Sequence, residues 1–416
     1  MKYLIAVADG MADEPQPALA GKTPLQAART PRMDYLARNG TVGLLRTVPA
    51  GMPPGSDVAN LSLFGYSPLE CYTGRAPLEA ASLGIAMGAD DLAFRCNLVR
   101  IEQRDGQEIM ADYSGGGIAT KLARPCIQAL NDHLPDPRFS FHPGVSYRHV
   151  LLWKDGRKLF EGLRTTPPHD ISGRQIDPFL PRGPGSAEVR DLMARGSRIL
   201  ETGLSAALAA ELQGKANALW LWGEGPRPRM SGLTERFGIR GVTVCAVDLI
   251  KGLGRYAGLQ PVEVEGATGD LDTNYRGKAS AVLEALRDVD LAFLHVEAPD
   301  EASHRGDLNG KIEAIERFDE EVVAVVHEGL MRTGLPFRIL LCPDHPTPLK
   351  IRTHSSEPVP FLLFTHPASA APTGLARRQG SGAAASFDES AALSTGVLIE
   401  EGHRIVDLLL QGARSS

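Results

Sequence analysis

The sequence is poor in the features that tie a chain to a membrane, to nucleic acid or to an oxidising compartment. Its five cysteines (Cys71, Cys96, Cys126, Cys245 and Cys342) are odd in number, scattered, and never fall in a Cys-x-x-Cys pair. That argues against a disulfide framework and for a reducing compartment. No apolar run approaches the roughly 18 residues needed to cross a bilayer, and the opening apolar stretch meets Asp9 too early for a secretory signal. The formal net charge is −6 and no block of Lys and Arg occurs. Neither the phosphate backbone of nucleic acid nor an anionic membrane surface is therefore an expected partner. There is no internal repeat, no P-loop and no kinase-type Gly-rich loop. A soluble, cytoplasmic protein is expected.

What is present is the composition of an ordinary globular protein, 43% hydrophobic over 416 residues, long enough for two domains of which one can interrupt the other. Residues 3–8 form a short apolar run ending in Asp9-Gly10, which reads as a buried strand. A helical pattern follows from Pro24 through Leu36 and stops at Asn39-Gly40. Comparable apolar runs recur at 218–222, 242–247, 291–296 and 338–342, interleaved with helix-period stretches at 279–286 and 312–328. That alternation predicts an α/β domain with a largely parallel sheet flanked by helices. The middle of the chain, rich in Pro and Gly with short apolar pieces such as 150–153, reads as an inserted α+β domain. The boundaries expected are 1–75 and 216–416 for the α/β core and 76–215 for the insertion. The stretch 367–386 is low in complexity and reads as a surface loop.

Acidic and imidazole residues fall at one kind of place, just after an apolar strand. Asp9 follows 3–8; Asp300 and His304 follow 291–296; Asp344 and His345 follow 338–342, with His354 ten residues on. In open parallel sheets the loops at the carboxyl ends of strands converge on one crevice. Carboxylates crowded there titrate upward unless a cation neutralises them. Mixed oxygen and nitrogen donors suit two divalent ions, with Mn²⁺ or Zn²⁺ more natural than Mg²⁺. Singly, an Asp after a strand is commonly a helix cap; the convergence is what points to metal. A second constellation, Pro53-Pro54-Gly55-Ser56-Asp57, places Ser56 at or near a helix N-terminus. Ser56 is there either a cap or, beside a metal, a nucleophile where helix N–H groups can face a phosphoryl group.

These residues sit in a sequence that resembles the archaeal-type cofactor-independent phosphoglycerate mutases of the alkaline phosphatase superfamily. The stretches that carry the resemblance are GKTPLQAARTPRMDYLARNG (21–40), PPGSDVANLSLFGYSP (53–68), YTGRAPLEA (72–80), AFRCNLV (93–99), PGVSYRH (143–149) and TPPHDISG (166–173). AVDLIKGLG (246–254), GATGDLDTNYRGK (266–278), HVEAPDEASHRGD (295–307) and PDHPTP (343–348) extend it along the chain. The resemblance implies an alkaline-phosphatase-like core with an inserted substrate-binding cap. It implies one divalent ion on Asp9, Ser56, Asp344 and His345, and a second on Asp300, His304 and His354. Ser56 would accept the phosphate as 3-phosphoglycerate and 2-phosphoglycerate interconvert, with no 2,3-bisphosphoglycerate required. Substrate contacts are expected from Arg148, His169 and Asp170 in the cap and from Arg227, Arg229 and Lys251 in the core.

Two departures matter. Gly117 stands where relatives present a His or Arg, which bears on the cap's grip but leaves the metal site untouched. SDVAN (56–60) and ASLG (81–84) are similar to a bacterial subgroup proposed to act as homoserine kinases. A homoserine kinase-like phosphotransferase and a phosphomonoesterase on the same two-metal site are thus the alternatives, with a non-catalytic metal-binding protein a third.

Overall fold

A computed structural model describes residues 1–370 and 384–411; most of the low-complexity stretch 367–386 lies outside the described residues. The chain divides into two compact units, Met1–Tyr72 with Arg229–Ser416, and Thr73–Pro228. In chain order the first unit supplies strands β1 (Lys2–Ala8) and β2 (Thr41–Leu45). The second supplies β3 (Leu92–Arg104), β4 (Gln107–Asp112), β5 (Phe139–His142), β6 (Arg148–Trp153) and β7 (Ala218–Pro226). The chain then returns to the first unit with β8 (Gly241–Val244), β9 (Gln260–Val262), β10 (Leu291–Val296), β11 (Phe337–Cys342), β12 (Val359–His366) and β13 (Leu398–Ile399).

The first unit is built on an eight-stranded sheet of order β13-β2-β12-β11-β1-β10-β8-β9. β1 lies between β11 and β10 and is parallel to both, with Val7 opposite Cys342 and Ala8 opposite Val296. β8 and β9 continue the parallel run, whereas β12 is antiparallel to both β11 and β2. β10 and β11 are buried at every position, and β1 at every position but its first. This is the continuous apolar pattern of parallel strands covered on both faces. Helices cover them, with Leu36, Tyr275, Val282, Phe318 and Val326 packing into the same core as Leu4, Leu294 and Leu341. The expected α/β class with a largely parallel core sheet is what is found.

The helical pattern expected from Pro24 to Leu36 is two helices, Pro24–Ala27 and Pro31–Asn39. Pro31 has no N–H to continue the first helix and starts the second, where a missing donor costs nothing.

The second unit is antiparallel. β3 is its long central strand, paired with β4, β6 and β7. Its core holds Phe94, Leu98, Ile127, Trp153, Trp220 and Trp222. One boundary differs from expectation. The run 218–222 was expected to be a core strand of the α/β sheet, with the return to the core at 216; instead it is β7, hydrogen-bonded along β3 from Val99–Ala218 to Leu92–Pro226. An apolar strand carries no mark of which sheet it will join, and the second unit accordingly runs on to Pro228.

Candidate active site

The site follows from the three central parallel strands, β10, β1 and β11. Because they run the same way, the residues after each emerge on one edge: Asp9 after β1, the helix Ala298–Arg305 after β10, and Asp344-His345 after β11. Asp9, Asp300, Asp344 and His345 are all buried there. On the helix, Asp300 and His304 are one turn apart, and His304 Nε2 lies 3.0 Å from Asp300 Oδ2. His354 comes from the loop after β11 and brings its Nε2 to 3.1 Å from His304 Nε2 and 3.7 Å from Asp300 Oδ1. His345 Nε2 lies 3.5 Å from Asp9 Oδ1 and 3.4 Å from Asp344 Oδ2. The six side chains singled out by their positions after strands are therefore gathered in one place.

Ser56 joins them. It is the first residue of the helix Ser56–Leu63, with Gly55 as the residue before it in the N-cap position, so the capping role is not the one its side chain plays. Ser56 Oγ lies 3.1 Å from His345 Nε2. One turn on, Asn60 Nδ2 donates to Ser56 O at 2.9 Å and to Asp344 Oδ2 at 2.8 Å, tying the helix to the β11 loop.

Donor arrangement and electrostatics both fit cations. Three triads, Asp300/His304/His354, Asp9/Asp300/His345 and Asp9/His295/Asp344, each present ligand atoms within 4.8 Å of one another. Asp9 is held well above the usual carboxylate range, first by burial and then by the negative charges of Asp344 and Asp300. Its Oδ1 is buried with no hydrogen-bond partner among the described residues. Asp300 goes the other way: burial opposes ionisation, but hydrogen bonds from His304 and His354 outweigh it and hold the carboxyl well below its ordinary value. Its bond to Asp300 pushes His304 up to about 9. Burial lowers His345, leaving a neutral ring suited to coordinate. A buried crowd of carboxylates beside the neutral ring of His345 is short of positive charge, and divalent ions would supply it.

Several residues around this centre escaped the sequence reading. His295, buried within β10, brings Nε2 to 3.2 Å from Asp9 Oδ2. Thr347 Oγ1 donates to Asp300 Oδ1 at 2.5 Å and lies 3.2 Å from His345 Nδ1. Gly10 has φ +63°, and a Cβ there would stand 2.6 Å from both Asp300 Oδ1 and Thr347 Oγ1. His295 precedes the Asp300 helix by one strand end, a spacing that could have flagged it; nothing in sequence marks Thr347.

The expected substrate contacts divide between the units. Arg148, His169, Asp170 and Arg227 belong to the second, Arg229 and Lys251 to the first. His169 and Asp170 share the short helix Pro168–Ile171, and the imidazole meets the Trp222 ring edge-on at 5.3 Å. Arg148 lies over the Tyr147 ring at 5.6 Å, and Arg227 Nη1 donates to Met87 O at 3.4 Å. Lys251 Nζ donates to both carboxylate oxygens of Glu263 at 2.9 Å. Gly117 lies in a run of three left-handed glycines, 115–117, and a Cβ on it would meet open space.

Among the described residues no helix is long and apolar enough to cross a membrane. A family model described as 2,3-bisphosphoglycerate-independent phosphoglycerate mutase matches residues 37–203. A Geobacter sulfurreducens protein described as a probable member is 48% identical over 412 residues, covering 99% of this chain and 100% of its own. A Methanothrix thermoacetophila protein of that description is 48% identical over 417 residues, with 99% and 100% covered. The structure superposes on a Pyrococcus horikoshii protein with a TM-score of 0.78 at 27% identity, covering 100% of this chain and 98% of that one. On the cofactor-independent phosphoglycerate mutase of Thermoplasma acidophilum the TM-score is 0.67 at 26% identity, with 99% and 100% covered. Identity of 48% over 99% of the chain shows its family, and the chain belongs to the 2,3-bisphosphoglycerate-independent phosphoglycerate mutases.

Proposed function

We propose that this chain interconverts 3-phosphoglycerate and 2-phosphoglycerate through a phosphoserine at Ser56, in a site that holds two divalent cations, Mn²⁺ foremost. The observation that carries the reading is the approach of Ser56 Oγ to within 3.1 Å of His345 Nε2, inside a cluster gathered from three adjacent parallel strands. Asp9, Ser56, Asp344 and His345 would hold one cation and Asp300, His304 and His354 the other. When bound, the pair neutralises the carboxylates and polarises the phosphoryl oxygens.

Every other part is played by the protein. Ser56 opens its helix, so the N-terminal N–H groups and the helix dipole favour a phosphoryl group at its hydroxyl. Attack by Ser56 Oγ on phosphorus forms the serine ester and breaks the bond to the 3-oxygen of glycerate. The 2-hydroxyl then attacks the same phosphorus and frees the serine. Glycerate must be retained between the steps, which calls for cationic contacts to its carboxylate and hydrogen bonds to its hydroxyls; we assign the first to Arg148, Arg227, Arg229 and Lys251 and the second to His169 and Asp170. Water must be kept from the phosphoserine, which otherwise hydrolyses.

The test is an assay of the purified chain with Mn²⁺ and 3-phosphoglycerate, without bisphosphoglycerate, and separately with ATP and homoserine. Formation of 2-phosphoglycerate in the first tube alone is expected. Phosphohomoserine, or inorganic phosphate in place of 2-phosphoglycerate, would overturn the substrate assignment. Ser56→Ala is expected to lower kcat by at least ~10³-fold with an unchanged circular dichroism spectrum; substantial residual turnover would overturn the covalent route.

A further inference from the structure

Next to the proposed cation ligands, through the Thr347 loop, lies a buried ion pair that the proposed chemistry does not use. Lys311, on the helix Leu308–Arg317, and Asp13, in the loop after β1, have side chains that are 0% exposed and meet at 2.7 Å. The ammonium group has three N–H donors, and all three are placed: on Asp13 Oδ2 at 2.7 Å, on Ala12 O at 3.3 Å and on Thr347 O at 3.0 Å. Asp13 Oδ2 in turn accepts from Leu349 N at 3.2 Å. One lysine thus joins the loop that carries Asp9 to the loop that carries Asp344 and His345, and the two loops also bond directly, Thr347 N donating to Ala12 O at 3.2 Å.

The connection reaches the cluster through Thr347. Its backbone carbonyl is fixed by Lys311, and its hydroxyl donates to Asp300 Oδ1 and lies against His345 Nδ1. Asp300 and His345 are assigned above to different cations, so a shift of Thr347 moves one ligand of each. A fully buried ion pair is a poor source of stability, since an apolar pair of similar volume often serves the fold as well. Its value here is geometric.

We propose that Lys311 is a positioning residue for the two-cation site. Through Asp13, Ala12 and Thr347 it sets the spacing of the loops after β1 and β11 and the orientation of Asp300 and His345. The proposal rests on the two-cation reading given under "Proposed function".

The test uses the full chain and Mn²⁺ alone. Parent protein is titrated by calorimetry, and the manganese pair is followed by electron paramagnetic resonance, whose exchange coupling reports the geometry between the ions. Lys311→Met strands the Asp13 charge in the interior and is expected to lose stability as well as affinity. The decisive variant therefore carries both Lys311→Met and Asp13→Asn, which removes both charges. It is expected to keep the parent's circular dichroism spectrum, to bind Mn²⁺ about 10- to 100-fold more weakly, and to show altered exchange coupling. Affinity within about threefold of the parent with an unchanged spectrum would overturn the proposal, and so would failure of the double variant to fold, which would place the pair's role in the fold alone. A parent chain that takes up fewer than two ions would overturn the two-cation reading and this proposal with it; normal uptake by the parent separates the two failures.

Discussion

Among the described residues of the second unit, the buried polar or charged side chains are Arg95, Asn97 and His149, set in a core that includes all three tryptophans of the sequence. In the first unit Asp9, Asp13, Asp300, Asp344, Lys278, Lys311, His295 and His345 are all buried. Strand direction accounts for much of the contrast. An antiparallel sheet such as that around β3 sends successive connections to opposite edges, so polar loop residues are dispersed. The parallel triplet β10-β1-β11 sends all its carboxyl ends to one edge, where the charges meet. The second unit holds its few buried charges by local pairing: the Arg95 guanidinium lies 4.1 Å over the Trp222 ring and its Nε donates to Glu79. The first unit leaves carboxylates facing one another, which is tolerable only where a cation or a proton intervenes.

The largest effect that sharpens this contrast is expected from Gly10→Ala. The left-handed backbone disfavours a side chain by about 1–2 kcal/mol, and the added Cβ meets the backbone of Asp300 as well as two side-chain oxygens. Overpacking adds about 1–3 kcal/mol. Thermal unfolding is expected to show the sum of these, and Mn²⁺ uptake should fall steeply; uptake equal to the parent's would show that the three strand ends are less tightly gathered than described.

A smaller effect separates the two units by probe. Mn²⁺ at a hundred times its Kd is expected to stabilise the first unit by about 2.7 kcal/mol. Tryptophan fluorescence reports only the second unit, because Trp153, Trp220 and Trp222 all lie there. The calorimetric transition should therefore rise more than the fluorescence transition. Equal shifts would break the comparison by showing that the units unfold together.

Acid provides a third measure, one histidine to a unit. Burial lowers His327 to about 4, and it lowers His149 to about 3. Each ring nitrogen Nδ1 accepts an N–H, from Arg32 Nη1 at 3.1 Å and from Gly144 N at 3.0 Å respectively. With the folded pKa depressed, the unfolded chain binds the extra proton first. Stability is full above about 6.5 and is lost as pH falls from there toward the folded values. Replacing His149 with Gln should flatten this loss in the fluorescence signal, and replacing His327 with Gln should flatten it in calorimetry while leaving fluorescence unchanged.

The smallest effect is expected from Gly117→Ala. Its φ of +64° matches that of Gly10, but nothing stands within 4 Å of the added Cβ, so only backbone strain remains, about 1–2 kcal/mol. Mn²⁺ affinity should not change. Set beside Gly10→Ala, it isolates the crowding at the strand ends from the cost of the left-handed backbone.

The core was legible in the sequence because its strands are uninterrupted apolar runs and each reactive residue follows one directly. Residues 291–296 are β10, and Asp9 and Asp344 stand just beyond β1 and β11. Ser56 was legible as a helix start, though its hydroxyl faces His345 rather than capping the helix. Residues 218–222 were placed in the wrong sheet, since apolar content fixes burial but not partner. Lys311 and Thr347 gave no signal. Lysine in a helix normally reads as a solvated face, and only the contact with Asp13, 298 positions away in sequence, reveals its burial.

The first unit is discontinuous in the chain, and that has a consequence for biosynthesis. β1 leaves the ribosome first, yet both strands that flank it, β10 and β11, are made only after the whole of Thr73–Pro228. At roughly 5–20 residues per second, a nascent β1 waits from about a quarter of a minute to a minute for its neighbours. Throughout that interval an apolar strand has both edges open, while the later-starting second unit has all its strands before β10 is made. The insertion is thus equipped to finish first, and β1 is the segment of the nascent chain with most need of a chaperone.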